Sequence, residues 1–121
     1  MRKLYVRGDD AGGCLSANLA IERCLDVGVL KNVGVMACGL AFEDAAHRLA
    51  GRKDACFGIH VCLNSEWDAV KWGPVLPKEQ VPNLVDGNGH FLWAPMANHE
   101  RGLDLDQALA EVRAQLTRLR D

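Results

Sequence analysis

Two adjacent carboxylates, Asp9 and Asp10, follow a β-prone run near the start of the sequence. Neighbouring acids repel each other, which favours either a bound cation or a raised pKa on one of the carboxyl groups. His60 lies within an otherwise apolar run, where its ring nitrogens need a backbone group, a carboxylate or a metal as partner. Imidazole with carboxylate suits zinc, and mixed oxygen–nitrogen sites also accept magnesium or manganese. These residues predict a divalent metal site, and an Asx-type turn with a hydrogen-bonded core histidine is the structural alternative.

The surrounding segments indicate how these residues could meet. Leu4 to Val6 predicts a strand that runs into the glycine-rich stretch 7–13, and a helix capped by Ser16 and closed by Gly28 follows. The next elements are predicted as strand 33–38, helix 42–49 and strand 56–63. This βαβαβ order predicts an α/β fold with a parallel sheet and right-handed crossovers. Active sites in such folds gather at the carboxyl ends of the strands.

The rhythm changes after Leu63. Residues 64–102 contain all four prolines and all three tryptophans but no convincing helix or long strand, which predicts a long functional loop. A final helix is predicted with Asp104 as its N-cap and Gln107 as its capping-box partner. Its apolar stripe is expected to face the core and consists of Leu105, Ala108, Leu109, Val112, Leu116 and Leu119. Three βα units predict a single domain over 1–121 that is a partial, TIM-like (β/α) barrel, since a full barrel needs about 250 residues.

Bulk composition excludes several classes of protein. A net charge of −2 gives no reason to expect nucleic acid or an anionic membrane as partner. No apolar run approaches the roughly 20 residues that cross a bilayer, and no signal peptide is predicted at the start. The five cysteines form an odd set without a CxxC pair, which is typical of free thiols in a reducing compartment. We therefore expect a cytoplasmic protein.

Five short motifs follow one another along most of the chain as far as Leu92. They are Gly8-Asp9-Asp10-Ala11-Gly12, Val35-Met36, Gly58-Ile59-His60-Val61-Cys62-Leu63, the pair Ser65-Glu66-Trp67 and Trp72-Gly73-Pro74, and Pro82-Asn83-Leu84-Val85-Asp86 with Gly89-His90-Phe91-Leu92. Each motif is weak by itself, but together and in register they resemble those of the YdjC-like carbohydrate deacetylases, a family of chitooligosaccharide type.

The resemblance implies a metal-dependent hydrolase that removes an acetyl group, held by a linear amide, from an N-acetylated sugar or oligosaccharide. It implies that Asp10 and His60 bind a divalent metal ion, Mg²⁺ or Zn²⁺, and that Asp9 is the base that acts on the attacking water. The family takes a further histidine ligand from a later strand, expected beyond Asp121. We therefore expect the chain to be an N-terminal part of such an enzyme and inactive alone.

Substrate contacts are also implied. Sugar-binding clefts place aromatic faces against the apolar face of a pyranose, which Trp67, Trp72 and Trp93 could provide. The predicted substrate residues are Glu66, Trp67 and Trp72. The structural alternative is that the tryptophans anchor a long loop by burying apolar area. Arg7, Gly8 and Ala11 replace the family's usual Asn, Ala and Phe, so we expect a different substrate wall beside the acids.

Two other classes fit parts of the sequence. A non-catalytic sugar-binding or assembly module is compatible with an incomplete set of metal ligands. A receiver-like phosphotransfer domain shares the βα order and the acidic pair, but it needs an aspartate at the end of the third strand, where this chain has His60. An incomplete barrel leaves a sheet edge and an apolar helix stripe uncovered, so we expect a homo-oligomer or association with further chain.

Overall fold

A computed structural model describes residues 2–121 as two compact units, the first ending at His60 and the second spanning Val61–Asp121. The elements of the first unit are β1 (Arg7–Ala11), α1 (Leu15–Asp26), β2 (Asn32–Val35), α2 (Phe42–Leu49) and β3 (Cys56–Ile59). The second unit contains a short 3₁₀ helix (Pro82–Leu84), α3 (Pro95–Arg101) and α4 (Leu105–Arg120). The α/β fold class is confirmed, whereas a single domain over 1–121 stays a prediction.

The three strands form one parallel sheet in the order β1-β2-β3. The βαβαβ order predicted from the sequence is therefore confirmed, with β1 and β3 as the edge strands of the described sheet. One face of the sheet carries the buried side chains Val33 and Val35 of β2. The buried apolar side chains of α1 and α2 belong to the same core and are Ile21, Leu25, Phe42, Ala45 and Leu49. The opposite face carries Arg7, Asn32 and Cys56, of which Arg7 and Cys56 are exposed.

Several boundaries in the first unit differ from the prediction. The strand β2 ends at Val35 rather than at residue 38, and β3 ends at Ile59 rather than at residue 63. The strand predicted at Leu4 to Val6 is wrong, because the ladder with β2 begins where Arg7 pairs with Asn32, and Leu4 is 90% exposed. The acids thus lie within β1 rather than after it. Ser16 is not the cap of α1, because Cys14 occupies that position and Ser16 lies inside the helix. The predicted end at Gly28 is confirmed by its left-handed φ of 77°.

Residues 64–102 are not wholly irregular, because α3 and the 3₁₀ helix lie within them. The helix α3 begins at Pro95, a residue suited to the first turn, and ends at Gly102 with a left-handed φ of 77°. Its sequence lacks the apolar periodicity on which the prediction relied, so only these terminal signals could have revealed it.

The final helix forms where it was predicted, but the side chains that it buries most completely are polar. Asp104 caps α4 and accepts hydrogen bonds from the backbone N–H groups of Asp106 and Gln107. The fully buried positions are Glu111 and Gln115, whereas Leu105, Leu109 and Leu116 of the predicted stripe are 74%, 49% and 38% exposed. The prediction is therefore wrong for these three leucines, whereas Ala108 of the same stripe is buried and Val112 and Leu119 are partly buried. The irregular segment beneath α4 presents backbone polar groups that need partners, and the polar face supplies them.

Candidate active site

A bulge in β1 brings the two acids to one side of the sheet. Gly8 pairs with Val33 and Ala11 pairs with Val35, so three steps along β1 match two steps along β2. The extra residue is accommodated at Asp10, which has a left-handed φ of 66°. Neighbouring side chains of a regular strand point to opposite faces, and a bulge cancels that alternation. Asp9 and Asp10 can therefore act on the same ligand.

His60 follows β3 directly and faces both acids. Its backbone N–H donates to the Val35 carbonyl at 2.8 Å, which extends the sheet ladder by one residue. Its Nδ1 lies 3.2 Å from Asp10 Oδ1 and 3.7 Å from Asp9 Oδ1. The sheet thus brings together Asp9, Asp10 and His60 as the sequence predicted, although they are 50 residues apart along the chain.

Arg7 is a member of this cluster that the sequence analysis treated only as a departure from the family pattern. Its Nε donates to Asp9 Oδ1 at 2.6 Å, and both side chains are half exposed. The two side chains lie over Gly34, where a Cβ would stand 2.5 Å from Asp9 Oδ1 and 2.7 Å from an Arg7 nitrogen. Glycine at position 34 therefore leaves the space in which the ion pair holds the Asp9 carboxylate. The i, i+2 spacing of Arg7 and Asp9 on a strand was the available signal.

The donor atoms fit part of a metal site. Asp10 Oδ1 and His60 Nδ1, at 3.2 Å, are close to the separation of about 3.4 Å expected for two ligands of a tetrahedral zinc ion. Among residues 2–121, however, no group of three or more His, Cys, Asp or Glu side chains has an arrangement that could hold a metal ion. Asp10 and His60 could thus offer one oxygen and one nitrogen ligand, and a complete site would need further ligands.

Cys14 stands at the end of the turn that follows the acids. A hydrogen bond with the Ser16 hydroxyl, and next the backbone N–H of Ala17, lower the pKa of the Cys14 thiol, while burial and the negative charge of Asp10 oppose that shift. Cys14 thus occupies the N-cap position of α1, where serine or aspartate is more usual.

The three predicted substrate residues lie in the second unit. Trp67 packs edge-on against Trp72, with ring centroids 5.1 Å apart and an interplanar angle of 84°. Trp72 is only 2% exposed, which favours its interpretation as an anchor of the segment. Trp67 is half-buried, and Glu66 is exposed and accepts a hydrogen bond from Asn64 at 3.0 Å. Trp67 and Glu66 are thus the two that solvent can reach.

Comparisons with known proteins agree with the motifs. The family model described as YdjC-like protein matches residues 3–121. A solved structure from Enterococcus faecalis V583, provisionally described as a cellobiose-phosphate cleavage protein, is similar with a TM-score of 0.78 and 25% identity. The similarity covers 94% of this chain and 42% of that protein, so this chain spans less than half of its length. No curated protein sequence matches this chain. Within residues 2–121, no helix is long and apolar enough to cross a membrane.

Proposed function

Because the chain belongs to the YdjC-like protein family, we propose that it forms part of a metal-dependent hydrolase that removes the acetyl group of an N-acetylated sugar or oligosaccharide. The three-stranded parallel sheet is then the first part of a (β/α) barrel. The polar, exposed sheet face that carries Arg7 and Asn32 becomes the barrel interior in this proposal. The family membership and the α/β fold support both statements.

The observation that carries the proposal is the convergence of Asp9, Asp10 and His60 at one end of the sheet. Asp10 and His60 would hold the metal ion, for which Mg²⁺ and Zn²⁺ are the candidates. When bound, such an ion would lower the pKa of a water molecule and polarise the acetamide carbonyl. Asp9 takes the proton of the attacking water as general base, and the ion pair with Arg7 keeps its carboxylate in place for that transfer.

Two residues are proposed to contact the sugar. Trp67 offers a partly exposed indole against which a pyranose can stack, and Trp72 supports that ring from the edge. Glu66 is the adjacent hydrogen-bonding group for hydroxyls of the substrate. We therefore include Glu66, Trp67 and Trp72 in the proposed substrate site, with Trp72 in a supporting part.

Metal titration tests the proposal directly. Because Asp10 and His60 form only part of a ligand set, calorimetric titration of the chain with ZnCl₂ and with MgCl₂ is expected to show weak but saturable binding of at least one ion. Asp10→Gly is the sharpest variant, because glycine accepts the left-handed φ at this position and only the carboxylate is lost. Asp10→Gly should abolish binding, and Asp68→Ala, which removes an exposed acid of the second unit, should not change it. Absence of binding, or binding unchanged by Asp10→Gly, would overturn the proposed site.

An assembly module is the second candidate, and the exposed apolar face of α4 is the observation that favours it. Leu105, Leu109 and Leu116 are a third or more exposed on one helix. Such a face is covered when a protein associates with itself, and we propose a homo-oligomer on this basis. Sedimentation velocity should show a species larger than the monomer that Leu109→Glu dissociates, and a monomer at all concentrations would contradict it.

A further inference from the structure

Asn18 is a fully buried polar residue on α1, and its side-chain amide uses both ends. Its Oδ1 accepts a hydrogen bond from the Gly12 backbone N–H at 2.7 Å. Its Nδ2 donates to the Ala41 carbonyl at 3.0 Å and to Asp44 Oδ2 at 2.8 Å. One amide thus joins the turn after β1 to the start of α2.

The turn that Asn18 holds is the one that begins at Asp10. The Gly13 N–H donates to the Asp10 carbonyl at 2.9 Å. Gly12 lies between these residues, and its N–H donates to Asn18 Oδ1. The Gly12 carbonyl accepts from the Ala41 N–H at 2.8 Å, so Gly12 is bonded on both sides to groups outside β1. These bonds fix the backbone immediately after the acid pair.

Such fixing matters because Asp10 has a backbone conformation that non-glycine residues seldom adopt. A left-handed φ persists at such a residue only where the surrounding structure determines it strongly. If the turn relaxed to regular strand geometry, alternation would direct one of the two carboxylates to the other face of the sheet. The acid pair therefore depends on the groups that hold residues 11 and 12.

Asp44 and Arg48 determine the orientation of the Asn18 amide. Hydrogen bonds from Arg48, first, and from Asn18 hold the pKa of Asp44 below its ordinary value, so Asp44 stays a carboxylate that only accepts hydrogen bonds. The Arg48 Nε donates to Asp44 at 2.8 Å, and a second Arg48 nitrogen donates to Glu22 on α1 at 2.9 Å. The amide nitrogen of Asn18 must face Asp44, which leaves the amide oxygen for Gly12.

We propose that Asn18 is a positioning residue for the acid pair: by linking Gly12 to Ala41 and Asp44, it maintains the bulge that directs Asp9 and Asp10 to His60. This inference rests on the proposed metal site for its functional meaning. Asn18 acts through the backbone and contacts neither the metal nor the sugar. It resembles the groups behind metal ligands, whose loss commonly lowers metal affinity about 10- to 100-fold.

Exchanging the amide and the carboxylate between positions 18 and 44 distinguishes a positioning role of Asn18 from a general contribution to stability. Asn18→Asp keeps an acceptor for Gly12 but places a carboxylate against Asp44 and the Ala41 carbonyl, so repulsion should displace the side chain. We expect zinc affinity to fall about 10-fold or more, and the Gly12 amide to exchange its hydrogen about 10-fold faster by NMR. Adding Asp44→Asn restores a donor between the two positions and should recover most of both losses.

Leu25→Ala is the control for stability, because it removes a buried side chain of α1 and is expected to leave zinc affinity and Gly12 exchange unchanged under folding conditions. Unchanged zinc affinity and exchange in Asn18→Asp would overturn the inference, as would failure of Asp44→Asn to recover either. If the unaltered chain binds neither zinc nor magnesium, the proposed function fails, while Gly12 exchange in the same variants still decides whether Asn18 holds the turn.

Discussion

Replacement of Glu111 by alanine should destabilise the second unit more than removal of any exposed leucine of α4. Glu111 accepts hydrogen bonds from the backbone N–H groups of Val75 and Leu76 at 2.9 and 3.0 Å, and from Gln115 Nε2 at 2.8 Å. The variant leaves three donors without an acceptor, each at about 1 kcal/mol, the lower end of the usual range because Val75 and Leu76 are only partly buried. The free energy of unfolding should therefore fall by about 3 kcal/mol.

Urea denaturation followed by tryptophan fluorescence measures this loss, because all three tryptophans lie in the second unit. With a slope of about 1.5 kcal/mol per molar urea, the midpoint should fall by about 2 M. Leu109→Ala is the matched control on the same helix, since a side chain that is 49% exposed should contribute less than about 1 kcal/mol. If Leu109→Ala were the more damaging variant, α4 would bury its apolar stripe and the assignment of its polar face to the interior would be refuted.

Two further predictions concern the first unit and use circular dichroism, since no tryptophan lies there. A Cβ at Gly39 would collide with the Gly12 carbonyl oxygen, so Gly39→Ala should destabilise the unit by about 1–3 kcal/mol. The control is Gly58→Ala, which should be nearly neutral because a Cβ at Gly58 meets open space. Equal effects of the two variants would contradict the close approach of Gly39 to Gly12. Hydrogen bonds from Arg52 lower the pKa of Asp54 to about 2, below its unfolded value of about 3.9, so its contribution to stability is complete above about pH 4 and is lost as the pH falls toward about 2. The acid-induced decline should thus be shallower in Asp54→Asn, and identical pH profiles would exclude that ion pair as a cause.

Elements with a regular hydrophobic period were accessible from the sequence. The order βαβαβ, the left-handed end of α1 at Gly28 and the Asp104 cap each follow from local chemistry, and the structure confirms them. The convergence of His60 with the acids was accessible as well, because parallel strands present their carboxyl ends at one edge of a sheet. Identification of the family rested on motifs rather than on these physical patterns.

The buried face of α4 was not accessible, for a specific reason. Hydrophobic periodicity indicates which face a helix buries when its neighbour is another apolar surface. Here the neighbour is irregular chain whose backbone groups at Cys62, Val75 and Leu76 lack ladder partners. Each such group costs about 1–3 kcal/mol when it is buried without a partner, so Glu111 and Gln115, which together pair with several of them, occupy interior positions.

The bulge at Asp10 shows the same limit in β1. Asp9 and Asp10 were expected to follow a strand, and no local pattern distinguishes a turn from a strand with one extra residue. Glycine would adopt a φ of 66° at lower cost than aspartate. The backbone conformation alone therefore gives no reason for a carboxylate at position 10, whereas the approach of that carboxylate to His60 Nδ1 at 3.2 Å does. Residues that a fold accommodates at a cost in stability are the ones for which a function outside the fold is the better explanation.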